Sequence, residues 1–172
     1  KYQGPNDLDR LMNQLLIAWT KVGEGKGKEA LKLVQDLDGP SWYGIFRNYN
    51  LGVMAAMTGD VETARKALTD TVTDRSGGAT APDTFARAVI ALATLEAGAG
   101  NKQKALDALA AGDELITNFA PFKALRDEIE ADRQPKPVVA NAAHGAAGVL
   151  FSIGGALNRE GAEDTVMLYL QL

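Results

Sequence analysis

The chain has 172 residues, with 18 Lys and Arg against 22 Asp and Glu, one His and no Cys. Its net charge of -4 offers no general attraction to a phosphate backbone, which requires clustered Lys and Arg, and no nucleic-acid partner is expected. The absence of Cys removes disulfides, thiolate nucleophiles and Cys-ligated zinc, and the single His removes most His-based metal sites and relay catalysis.

Apolar residues recur at three- and four-residue spacing along most of the chain, and alternating runs bounded by hairpin turns are missing, which predicts an all-α fold. In chain order, helices are expected over 7–22 and 28–38, 42–58 and 60–73, 83–98 and 101–117, then 122–133, and finally 142–160 and 162–172. Gly and Pro separate them, at Gly23, Gly25 and Gly27, Gly39-Pro40, Gly59, Gly77-Gly78 and Pro82, Gly98 and Gly100, Pro121, Pro135 and Pro137, and Gly161. Ser41, Asp60, Asp83 and Asn101 each follow such a breaker and can cap the free amides of the next helix. Eight of these helices form four consecutive pairs, and 122–133 is left as an inserted helix, followed by an extended Pro135-Lys136-Pro137 linker.

Alignment on the inter-helix glycine gives a repeat. The second pair carries Leu51-Gly52, Gly59, Ala64 and Leu68; the third Leu92-Ala93, Gly100, Ala105 and Leu109; the fourth Ile153-Gly154, Gly161, Val166 and Leu170. In all three the small residue of the first helix precedes the marker of the second by twelve positions. The first pair is looser: Met12, Leu15, Leu16 and Trp19 fit a turn at Gly23, whereas Ala30 and Val34 fit one at Gly25, which implies two extra residues in that turn.

These features resemble the tetratricopeptide repeat (TPR), a helix-pair motif reading W-x2-L-G-x2-Y, then A-x3-F, then P. The match is degenerate: the large residue after the Leu-Gly pair is Trp19 or Leu157 in the outer repeats but Ala55 or Glu96 in the middle ones. The Tyr169 to Leu172 run is similar to one in TPR proteins of proteobacteria, which implies a bacterial source. The resemblance implies a right-handed α-solenoid of about four repeats in a single domain, over 7–38, 42–73, 83–117 and 142–172. Because 162–172 stops in mid-motif, the chain reads as a fragment of a longer TPR protein, and its apolar end can self-associate.

Catalytic and metal signatures fail on spacing. Gly23 to Lys28 lacks the phosphate-loop Gly that must stand with four residues between it and the Gly-Lys, a place held by Val22, and Glu29 stands where Ser or Thr would bind magnesium, so an inter-helix turn is expected. His144 has no helical partner for metal binding, Ser41, Ser76 and Ser152 have no activating base, and Asp127, Glu128, Glu130 and Asp132 read as a solvated helix face. No enzymatic activity, metal or cofactor is therefore expected. Residues 138–157 contain no Asp, Glu, Lys or Arg, but their glycines, Asn141, His144 and Ser152 argue against a membrane span.

The resemblance also implies a concave groove lined by first helices, with another protein or peptide as partner. By register its residues are Arg10, Asn13 and Ile17, then Phe46, Tyr49 and Val53, then Arg87, Ile90 and Thr94, and lastly Phe151 and Arg159. Phe46 and Tyr49 fit an inter-repeat core equally well. Tyr49, Val53 and Ile90 stand where the donors of a carboxylate clamp would be wanted, so an apolar peptide or helix with some acidic residues is the better fit. A protein-binding scaffold is the leading expectation. The alternatives are a regulatory or substrate-binding segment of a larger enzyme and a cell-envelope protein resting on the membrane through 138–157. No signal peptide is expected at Lys1 to Pro5, and both cytoplasm and periplasm remain open.

Overall fold

The computed structural model describes residues 6–157. Nine helices and no strand are present among them: α1 (Asp7–Gly23), α2 (Gly27–Gln35), α3 (Tyr43–Thr58), α4 (Val61–Thr73), α5 (Arg75–Thr80), α6 (Pro82–Gly98), α7 (Lys102–Asp113), α8 (Ala120–Glu130) and α9 (Ala142–Leu157). The all-α class follows directly. The helix expected over 162–172 and the self-association surface on it lie outside the described residues.

The first three pairs share one turn. Gly25, Gly59 and Gly100 have φ of 76°, 84° and 77°, a left-handed conformation that glycine adopts without the Cβ clash of other residues. In each pair the residue after that glycine donates its N–H to a carbonyl five residues back, as Lys26 to Lys21 (2.8 Å), Asp60 to Ala55 (2.9 Å) and Asn101 to Glu96 (2.8 Å), which satisfies an otherwise orphaned helix end. Gly25 is thus the equivalent of Gly59 and Gly100, and no extra turn residues are needed in the first pair. Ala30 then follows Ala18 by the same twelve residues that separate Gly52 from Ala64 and Ala93 from Ala105. Ala18, Ala30, Ala64, Ala93 and Ala105 are all fully buried, and a Cβ on Gly52 would come 2.6 Å from Leu68 Cγ. Small residues recur at this offset because the paired helices touch there.

The caps differ from the expected set. Asp60 does cap α4, accepting from Thr63 N–H at 3.1 Å. Ser41 does not cap, because α3 opens from a turn in which Tyr43 N–H bonds Pro40 O. Asp83 lies inside the first turn of α6, which begins at Pro82, and the Asn101 side chain turns back to Glu96. Asn6, Asp74 and Asn141 cap α1, α5 and α9 instead, accepting from Asp9, Gly77 and His144 N–H.

Two elements differ in extent from the sequence expectation. The Gly77-Gly78 pair reads as a turn but lies within α5, where a Cβ on Gly78 would come 2.7 Å from Leu115 and 2.8 Å from Phe85. Close packing, not chain reversal, requires glycine there. The helix expected over 101–117 stops at Asp113: the chain goes on in turns that reach a left-handed Asn118 (φ 57°), and Gly112 packs under Phe122 and Val89. The apolar spacing of Leu115 and Ile116 imitates a continuing helix.

The first helices α1, α3 and α6 lie side by side, and α2, α4 and α7 pack against them and against the next first helix. Between these two rows sits the core, with Leu11, Leu15, Trp19, Ile45, Met54, Leu68, Phe85 and Leu109 buried. Burying each such side chain contributes about 1.5–3 kcal/mol before entropy. The helix expected as an insertion, α8, packs on α7 and α6 through Phe122, Leu125 and Ile129, so it continues the row. By contrast α9, expected to open a fourth pair at the far end, packs mainly on α1 and also touches α3 and α6. Residues 131–141, without regular structure, carry the chain back across the molecule to reach it.

Candidate functional site

The face shared by α1, α3 and α6 gathers five of the expected groove residues, and α9 lies on it. Trp19 from α1 is buried, and its indole N–H donates to Asn50 Oδ1 of α3 at 2.9 Å. Asn50 Nδ2 in turn donates to Phe46 O at 2.9 Å, so neither polar group is left unsatisfied in the interior. This fixes the indole in the interface with α9, where Gly145 rests against its six-membered ring. A Cβ at Gly145 would overlap the Trp19 ring, and one at Gly148 would lie 3.5 Å from Arg87 Nη1. The space remaining among Trp19, Tyr49, Arg87, Gly145 and Gly148 is about 10 Å³, room for about one water molecule at most.

Arg87 on α6 joins the two sides. Its guanidinium carbon stands 4.8 Å from the centroid of Phe151, and the same group lies beside the Tyr49 hydroxyl. Burial pushes the Tyr49 hydroxyl above its ordinary pKa, and Arg87 opposes that shift without cancelling it. Phe151 is 49 % exposed, so its outer face remains open to solvent while its inner face meets the cation.

Beside α9, residues 134–140 cross α3 and α6 and leave a largely apolar cleft of about 750 Å³, lined by Val53, Met57, Leu95 and Thr94 on the helix side and Pro135, Val138 and Val139 on the other. Thr94 Oγ1 is buried there without a hydrogen-bond partner among the described residues.

The sequence-derived residues divide accordingly. Tyr49, Val53, Arg87, Thr94 and Phe151 meet at this face or its cleft. Phe46 is 3 % exposed and packs edge-on against Trp42 at 6.2 Å, which makes it core. Arg10 sits instead over the Tyr43 ring, where it pairs with Asp7 at 3.2 Å and donates to the Tyr43 hydroxyl, which itself donates to Asp7 O. Asn13, Ile17 and Ile90 are half-buried along α1 and α6, and Arg159 lies outside the described residues. Trp19, Asn50, Gly145 and Gly148 were not foreseen as site residues. A polar Asn50 in the apolar run of α3, and two glycines three apart in an uncharged helix, were the available signals.

Other candidate sites resolve as structure. Gly23 to Lys28 forms the α1–α2 turn, with Lys21 paired to Glu29 and Lys26 to Glu24. His144 is exposed in the first turn of α9, where its Nδ1 accepts from Ala140 N–H at 3.3 Å. Asp127, Glu128, Glu130 and Asp132 are exposed, and Asp132 pairs with Lys102. Among the described residues no helix is long and apolar enough to cross a membrane. No family model, curated protein or solved structure matches the chain.

Proposed function

We propose that this chain is a non-enzymatic scaffold of TPR-like helix pairs that binds another protein through the face of α1, α3 and α6. The observation that carries the reading is the helix α9 already seated on that face: side chains from three different pairs cooperate to hold a helical segment. The recurrent glycine turn and the twelve-residue offset support a solenoid-like repeat, in which successive first helices supply one continuous surface. Buried aromatics with a cation at the rim are suited to anchoring a partner helix.

Photo-crosslinking in the native cell tests this. A photoreactive amino acid replacing Thr94, beside the cleft, should join the full chain to another polypeptide, whereas the same group replacing Gln103 on the exposed side of α7 should not. Equal yields from both positions, or crosslinks from Thr94 only within the chain itself, would reject the reading.

A further inference from the structure

We propose that α9 is a built-in, displaceable occupant of the α1/α3/α6 face, and that the partner this face accepts is a helix without basic residues on its contact side, carrying a small residue followed six positions later by an aromatic one. This rests on the protein-binding reading above and specifies its ligand. The pattern is read from α9 itself: Gly145, Gly148 and Phe151 are three residues apart, which places them near one another along one side of the helix. Trp19 leaves no room for a Cβ at the first position, a Cβ at the second would meet Arg87 Nη1 in ordinary contact at 3.5 Å, and the Arg87 guanidinium stacks on the ring of the third. A basic residue brought against the buried Trp19 ring would lose its hydration beside the like charge of Arg87, which lines the same space.

Three observations favour release over permanent docking. Among the described residues, α9 makes no side-chain hydrogen bond or ion pair to α1, α3 or α6; it is held by apolar packing of Val149 and Ile153 and by the Arg87–Phe151 contact. Ser152 Oγ is buried without a partner, a group that water would satisfy on release. Gly145, Gly148, Gly154 and Gly155 lower the helix propensity of α9, and the irregular 131–141 segment lets it leave without dragging another helix along. A competing helix with the same pattern therefore meets a formed face whose resident is tethered but weakly specified.

The test uses the full chain and a fluorescent peptide of residues 138–154 bearing a soluble tag. Gly145→Leu in the chain removes the fit of its own α9 against Trp19, so the peptide should bind this variant roughly ten-fold or more tightly than wild type, because the accessible fraction of the face rises. A peptide with the same Gly145→Leu change, and a scrambled peptide of equal composition, should not bind. Circular dichroism and the melting curve establish that the variant is folded; failure of a folded variant to bind the peptide overturns the proposal. Should Gly145→Leu unfold the chain, a protease site inserted between Arg133 and Gln134 lets the intact fold be cut and peptide exchange followed. Exchange supports a displaceable α9, and no exchange or unfolding on cutting makes it core. Concentration-dependent dimers that swap α9 would assign the face to a second copy, against the partner helix. If the peptide exchanges but Thr94 captures no protein in cells, the scaffold reading falls while α9 displacement stands.

Discussion

Glu96 shows how one buried charge is made tolerable. Only 3 % exposed at the end of α6, it accepts from Arg65 Nε at 2.5 Å and Asn101 Nδ2 at 2.7 Å, tying α4, α6 and the turn into α7 together. Burial pushes its carboxyl up, but the hydrogen bonds from Arg65 and Asn101 outweigh burial and leave it below its ordinary value of 4.5. A depressed folded-state pKa means that the stabilisation is full above the ordinary value and disappears as pH falls through the folded one. Glu96→Gln should therefore destabilise the protein by roughly 1–3 kcal/mol at neutral pH, by loss of the charge-assisted bonds. Urea melts of both proteins as a function of pH should converge below the carboxylate range. A difference that stayed constant into acid would mean that shape, not charge, is what Glu96 contributes. Sequence alone marks Glu96 as an oddity, since it stands where the repeat expects a large residue, but its partners come from 31 positions before it and 5 after, a pairing that follows only from the packing.

At the scale of the helix and its turn, much was legible, because helix ends are local events. Glycine with positive φ, a cap such as Asp60 and apolar periodicity all act within a few residues, and they place eight of the nine described helices to within a few positions. What escaped was decided from outside the segment: α5 is helical because Asp74 caps it and its glycines fit against Leu115 and Phe85, and α7 stops where Phe122 packs on Gly112. The same reasoning separates two glycines that both have open space where a Cβ would stand. Gly59→Ala forces a left-handed alanine at φ 84° and should cost about 1–2 kcal/mol. Gly44→Ala, in the first turn of α3 at ordinary helical geometry, should instead stabilise by up to about 0.5–1 kcal/mol through lower unfolded-chain entropy and better helix propensity. Thermal melts with opposite signs are expected; two losses would mean that the start of α3 is held by something other than propensity. Leu68→Ala, fully buried against Gly52, sets the scale for real core loss at about 2–5 kcal/mol.

At the scale of the whole molecule, the row of helices and α9 are built on different terms. Between α3, α4, α6 and α7 the contacts combine buried aliphatic and aromatic side chains with the Glu96 network, and each helix is packed on several others. Helix α9 arrives over an irregular 131–141 segment, rests chiefly on α1, and leaves Ser152 Oγ unsatisfied. Its position was the least legible feature of the sequence for the same reason, since the repeat register extends the row by one more pair whereas the choice of α1 over the far end depends on Gly145 fitting Trp19, 126 residues away in the chain. Helix α9 packs on α1 as closely as α2 does, so its separate opening rests on its glycine-rich backbone and the unsatisfied Ser152 rather than on sparse contact. Native-state hydrogen exchange should accordingly show the α9 amides opening as a group at a free energy clearly below that of α3, α4, α6 and α7, with Trp19 fluorescence shifting to the red in the same step and Trp42 unaffected in a Trp19→Phe background. Protection of α9 equal to that of α6 at every denaturant concentration would make the molecule a single cooperative unit, with α9 as much a part of its core as any helix of the row.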